Sequence, residues 1–125
     1  MTWEYVFDSD IDSIAEARGH VRDALVDRTD PDTLGHVELV VSELVTNSVR
    51  HGPGEPITLR LAATPAGGID GVVHDQGEGG AIRLRSDQEM PAVGGLGLLL
   101  VDSLADEWGV HPGSTSVWFR FAPAA

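Results

Sequence analysis

Apolar residues recur at helical spacing between Asp30 and Gly52. Val37, Val40, Val41, Leu44, Val45 and Ser48 fall on one side of a 3.6-residue period, which predicts an amphipathic helix with one buried face. Asp30-Pro31-Asp32 suits its start, with proline in the first turn, and Gly52-Pro53-Gly54 ends it. Upstream, Thr2 to Asp8 alternates as a strand at a sheet edge. Ile14, Ala17, Val21, Ala24 and Leu25 then give a helix from about Asp10 to Asp27, with Arg18, Arg22 and Arg28 on its solvated side. Asp8, Asp10 and Asp12 have calcium-loop spacing. However, Ser13 and Gly19 stand where that loop needs glycine and glutamate, so the aspartates read as cap and first-turn carboxylates.

Downstream the period changes to two. Pro56 to Ala63 places Ile57, Leu59 and Leu61 on one face of a strand, Thr64 to Gly68 turns, and Ile69 to Asp75 returns antiparallel. Ala81 to Met90 is a polar connection. Gly94-Gly95-Leu96-Gly97 opens an apolar helix to about Asp106. A closing hairpin pairs Glu107 to His111 with Thr115 to Phe121 around Pro112-Gly113, and Val117, Phe119 and Phe121 alternate along it.

At 125 residues and 42% hydrophobic, the chain is expected to be one soluble globular domain, residues 1–125. No apolar run approaches the roughly 20 residues of a membrane span, and MTWEYVFDSD lacks signal-peptide features, so a cytoplasmic location is the default. The absence of cysteine excludes disulfides and thiolate sites. The net charge of −12 argues against nucleic acids and anionic membranes as partners. All 8 basic residues are arginine, so a phosphate loop built around a lysine is excluded. A bound nucleotide would have to rely on backbone amides, a helix N-terminus, a divalent cation and Arg50.

Three stretches carry candidate chemistry. On the central helix, Glu43, Asn47 and Arg50 line up with His51 at their edge. A carboxylate, a neutral oxygen ligand and a cation suit magnesium and a polyphosphate, although a solvated helix face carries such residues equally well. Asp75-Gln76-Gly77-Glu78-Gly79-Gly80 follows a strand, where aspartate offers a fixed acceptor and glycine allows close approach; a plain turn has the same composition. Gly94 to Gly97 before a helix gives free N–H groups at a positive dipole end, a weak anion-site signal on its own.

In this order the three stretches resemble the N, G1 and G2 boxes of the GHKL ATPase superfamily. The resemblance is strongest to its bacterial anti-sigma factor serine kinase branch, typified by RsbW and SpoIIAB, and covers nearly the whole chain. It implies an α/β two-layer sandwich of the Bergerat type, with helices on one face of a mixed, mostly antiparallel sheet. ATP and Mg²⁺ are the implied cofactors. Asp75 would accept from the adenine amino group, and Gly77 and Gly79 would shape that pocket. Asn47 would ligand the metal, Glu43 would be the general base, and Gly95 and Gly97 would offer amides to the phosphates beside Arg50. Ser116 stands where relatives carry a threonine near adenine. A sigma factor and an antagonist protein are the implied partners, with homodimer formation left open.

This sequence departs from that branch twice. Val93 and Gly94 occupy positions where kinase members often have an arginine. The segment between Gly80 and Gly94 is short, with Arg83 and Arg85 its only basic residues. The departures bear on phosphotransfer more than on nucleotide binding; the activity the resemblance implies is a serine/threonine kinase acting by partner switching. The alternative is a catalytically weak or inactive ATP-dependent binding module, and less favoured is a detached histidine-kinase catalytic domain.

Overall fold

The computed structural model describes residues 1–76, 93–112 and 114–123, with the backbone alone for 93–97. In chain order it has β1 (Thr2–Phe7), α1 (Asp12–Leu25), α2 (Pro31–His51), β2 (Ile57–Ala63), β3 (Ile69–His74), α3 (Val93–Leu104), β4 (Glu107–Val110) and β5 (Val117–Phe121). The strands form a five-stranded sheet in the order β1-β2-β3-β5-β4, so β1 is an edge strand, as its sequence suggested. Every described pairing is antiparallel, a simpler arrangement than the mixed sheet expected.

The alternation of side chains decides what each face of the sheet does. Ile57, Leu59, Leu61, Ile69, Val73, Val117, Phe119 and Phe121 are buried on the face that receives the helices. Glu4, Arg60, Asp70, Trp118 and Arg120 occupy the opposite face, where Arg120 Nε pairs with Asp70 at 2.8 Å. Val37, Val40, Val41, Leu44, Val45 and Ser48 are all buried along α2, as the helical period required. Burying a valine or leucine side chain contributes about 1.5–3 kcal/mol. This stripe therefore anchors α2 between α1, α3 and the sheet.

Local chemistry sets the helix ends. The Asp30 side chain accepts from Thr33 N–H at 3.0 Å, and Pro31 follows at the first helical position. The α1 helix begins at Asp12, two residues later than expected. The Asp10 carboxylate accepts from Asp12 N–H at 2.8 Å just ahead of it, and Ser13 Oγ donates to the Asp8 carbonyl at 2.7 Å. The Arg22 side chain is not merely solvated: its Nη2 donates to Glu38 Oε2 at 2.8 Å, giving the 7% exposed Glu38 a charged partner across the α1–α2 contact. The Arg28 guanidinium lies 5.9 Å from the Trp3 ring centroid.

Between β3 and β4 the chain crosses over through α3, and β5 then returns into the gap between them. The exit of β3 therefore lies beside the entry of β5. That neighbourhood is the candidate site.

Candidate functional site

Asp75 leaves β3 on the buried face and is 2% exposed. A carboxylate so enclosed needs hydrogen-bond donors, because burial of an unsatisfied charge is costly. The Thr115 hydroxyl donates to its Oδ1. From the other side, Gly52 packs against it: a Cβ at Gly52 would sit 3.0 Å from Asp75 Oδ2 and 2.4 Å from the Ser48 carbonyl oxygen. Glycine is required there by close approach, since its φ of −78° suits any residue. The carboxylate is thus held between the start of β5 and the end of α2.

Gln76, the next residue, has a φ of 66° in the left-handed region, and its Nε2 donates to the Pro56 carbonyl at 2.9 Å. A non-glycine residue at positive φ is uncommon and costs roughly 1–2 kcal/mol. The bond to Pro56 holds this turn against the start of β2, immediately after the carboxylate.

On α2, Glu43 and Asn47 are half-buried one turn apart, and Asn47 is adjacent to Ser48, whose carbonyl lies against Gly52. Arg50 and His51 are exposed in the last turn, where cations also favour the negative end of the helix dipole. The glycine-rich stretch does not precede α3 but begins it: the helix starts at Val93, so Gly94, Gly95 and Gly97 lie in its first two turns. The first amides of a helix lack intrahelical acceptors, and Gly95 N–H is one of them, while the Gly97 amide sits at the position that bonds the Val93 carbonyl. Gly77, Gly79, the connection Ala81 to Met90 with Arg83 and Arg85, and the Gly113 turn lie outside the described residues.

The resemblance assigned the pocket hydroxyl to Ser116, but the hydroxyl on Asp75 belongs to Thr115. Ser116 Oγ instead shares a hydrogen bond with His74 Nδ1 on the opposite face. The reason is parity. Thr115, Val117, Phe119 and Phe121 share one side of β5 and its approach, and Ser116 shares the other with Trp118. The alternation noted in the sequence, extended back by one step, would have found Thr115. Gly52 was legible only as a helix stop, because its contact with Asp75 joins residues far apart in the chain.

Helices covering one face of an antiparallel sheet, with a buried carboxylate where the central strand ends, define an α+β sandwich with a polar site at its rim. The sequence pattern of the family described as Histidine kinase-like ATPase domain matches residues 7–121, and the chain belongs to that family. The RsbU and RsbW domains of Rv1364c from Mycobacterium tuberculosis have a similar fold, with a TM-score of 0.70 at 19% identity. That similarity covers 97% of this chain and 31% of the other, so this chain spans under a third of the length of that protein. No individually curated protein matches the chain. Among the described residues, no helix is long and apolar enough to cross a membrane.

Proposed function

We propose that this chain is an ATP-binding regulatory protein acting as an anti-sigma factor serine kinase by partner switching. The observation that carries the nucleotide part is Asp75, a buried carboxylate wedged between the Thr115 hydroxyl and the Cβ-free surface of Gly52. A carboxylate oxygen held in a fixed direction is an acceptor that suits the exocyclic amine of a nucleotide base. Family membership points the same way.

The donor set suits a polyphosphate less through protein charge than through dipoles. With no lysine and a net charge of −12, the chain would hold the phosphates with the amides at the start of α3 and with Arg50. Asn47 supplies a neutral oxygen for Mg²⁺. Among the described residues no three acidic or histidine side chains cluster to bind a metal by themselves, so the ion would depend on the phosphates for most of its ligands. When bound, Mg²⁺ would supply positive charge across the phosphates. Glu43, one turn before Asn47 on α2, would accept the proton of an attacking serine hydroxyl. Gly77 and Gly79 complete the base pocket in this reading.

A sigma factor and a serine-bearing antagonist are the proposed partners, with homodimer formation left open. This reading has the chain work as one domain in the cytoplasm. The test is phosphoserine formation on the co-purifying partner with Mg²⁺ and ATP, for wild type and Glu43→Gln. Transfer lost in the variant with ATP affinity retained supports the kinase. Undiminished transfer in the variant refutes the role of Glu43.

A second reading, an ATP-dependent binding module without phosphotransfer, is favoured by Val93 and Gly94, which stand where related kinases often carry arginine. It expects partner release to follow nucleotide in Glu43→Gln as in wild type.

A further inference from the structure

Backbone pairing between β3 and β5 ends at Val73↔Val117. The Ser116 main chain bonds on the β4 side, as strand alternation requires: its carbonyl accepts from His111 N–H at 2.9 Å, and its N–H donates to Ser114 Oγ at 3.1 Å. Yet the next two residue pairs in register are those that set the pocket. His74 faces Ser116 and Asp75 faces Thr115, and each pair is joined by a side-chain hydrogen bond, one on each face of the sheet. Side-chain bonds thus join the segment carrying Asp75 to β5 one and two residues beyond the last described pair of that ladder, while β2 holds His74 through its pairing with Thr58.

We propose that His74 and Ser116 are positioning residues for base recognition: their bond on the open face clamps the end of β3 so that the Asp75 carboxylate, on the other face, holds its angle toward the base. This rests on the nucleotide reading above. Neither residue touches the base, because both side chains lie on the far side of the sheet. Imidazole suits this role, since Nδ1 sits close to the backbone and the ring can either donate to or accept from a hydroxyl. Losing the clamp leaves the Thr115 bond and the Gly52 contact in place, so Asp75 loses orientation without leaving the site.

A positioning role has a signature that a loss of folding lacks. Adenine and hypoxanthine differ at the six position, where ATP carries the amine that Asp75 would accept from and inosine triphosphate carries a carbonyl. The preference for ATP over inosine triphosphate therefore reports the aim of the carboxylate separately from phosphate binding. The experiment measures both affinities by calorimetry with Mg²⁺ for wild type, His74→Ala, Ser116→Ala, the double variant, His74→Asn and Asp75→Asn, with thermal melts of each.

The expected result is a loss of ATP affinity of about 2–10-fold in each single alanine variant, the worth of one hydrogen bond. Affinity for inosine triphosphate stays unchanged, so the preference narrows by the same factor. The double variant is no worse than either single one, since both remove one bond. His74→Asn, which keeps a polar atom near the place of Nδ1, recovers the preference. Unchanged ATP affinity in both single variants overturns the proposal, as does an equal loss for both nucleotides or an additive double variant. If Asp75→Asn abolishes the preference while His74→Ala does not touch it, only the clamp fails. If wild type binds no ATP, or Asp75→Asn binds it as wild type does, the nucleotide reading fails and the clamp with it.

Discussion

Thr115 donates its hydroxyl to the carboxylate of Asp75, forty residues away in sequence and adjacent across the ends of β5 and β3. The bond satisfies one oxygen of a nearly inaccessible carboxylate and fixes its direction. Thr115→Val keeps the shape and removes the donor. ATP affinity measured by calorimetry is expected to fall about tenfold, or about 1.4 kcal/mol, whereas Thr115→Ser retains it within about twofold. Equal affinity of the valine variant and wild type would show that the hydroxyl does not orient the carboxylate.

Gly52→Ala tests the contact on the other side of Asp75. Its Cβ would come within 2.4 Å of the Ser48 carbonyl and 3.0 Å of Asp75 Oδ2, so backbone or carboxylate must move. The expected stability loss in urea is about 1–3 kcal/mol, with weakened ATP binding. Gly71→Ala is the control within the sheet. There the Cβ would meet Phe119 Cζ at 2.1 Å, so a comparable stability loss is expected without a direct effect on the Asp75 contacts.

Much of this arrangement was legible in the sequence, for identifiable reasons. Val37 to Val45 and the strands around Leu59 and Phe119 follow strict periods because one face of each packs on a common core. The central helix was readable to its ends because Asp30, Pro31 and Gly52 act through their immediate neighbours. Other features depend on contacts distant in sequence. Arg22 looked like part of a solvated face because nothing local reveals that Glu38 is buried opposite it. Motif position points to Ser116, whereas the hydroxyl on Asp75 is set by strand parity, which puts Thr115 on the buried face. That α3 begins at Val93, with the glycines inside its first turns, is not legible locally, because glycine is a poor helix former and tertiary context sets its place there.

The ion pair between Arg22 and the buried Glu38 predicts a stability effect remote from the site. Removing Arg22 leaves a largely enclosed carboxylate without its charged donor. Because the arginine side chain itself is 60% exposed, the expected cost of Arg22→Ala is at the lower end for such pairs, about 1–2 kcal/mol by urea unfolding. Adding Glu38→Gln should recover part of it. A double variant weaker by the sum of both single losses would contradict the coupling.

Asp30 gives α2 a pH-sensitive start. Its hydrogen bonds from the Thr33 side chain and then from Thr33 N–H hold its pKa below the ordinary 3.8. A carboxyl group whose pKa is lowered on folding stabilises the fold above its unfolded value, and that contribution is lost as pH falls through the folded value. Asp30→Ala should therefore melt at a lower temperature than wild type at neutral pH. The gap between the two should close as pH drops below 3.8. A gap that persists unchanged in acid would show that the cap does not depend on the charged form.

The central claim is that Asp75 receives the base of a nucleotide. The most direct measurement is ATP and ADP binding by calorimetry with Mg²⁺ for wild type and Asp75→Asn, with thermal melts to confirm that both are folded. Binding of both nucleotides by wild type and its collapse in a folded Asp75→Asn variant is the predicted result. Equal binding by the two proteins, or none by wild type, would contradict the account.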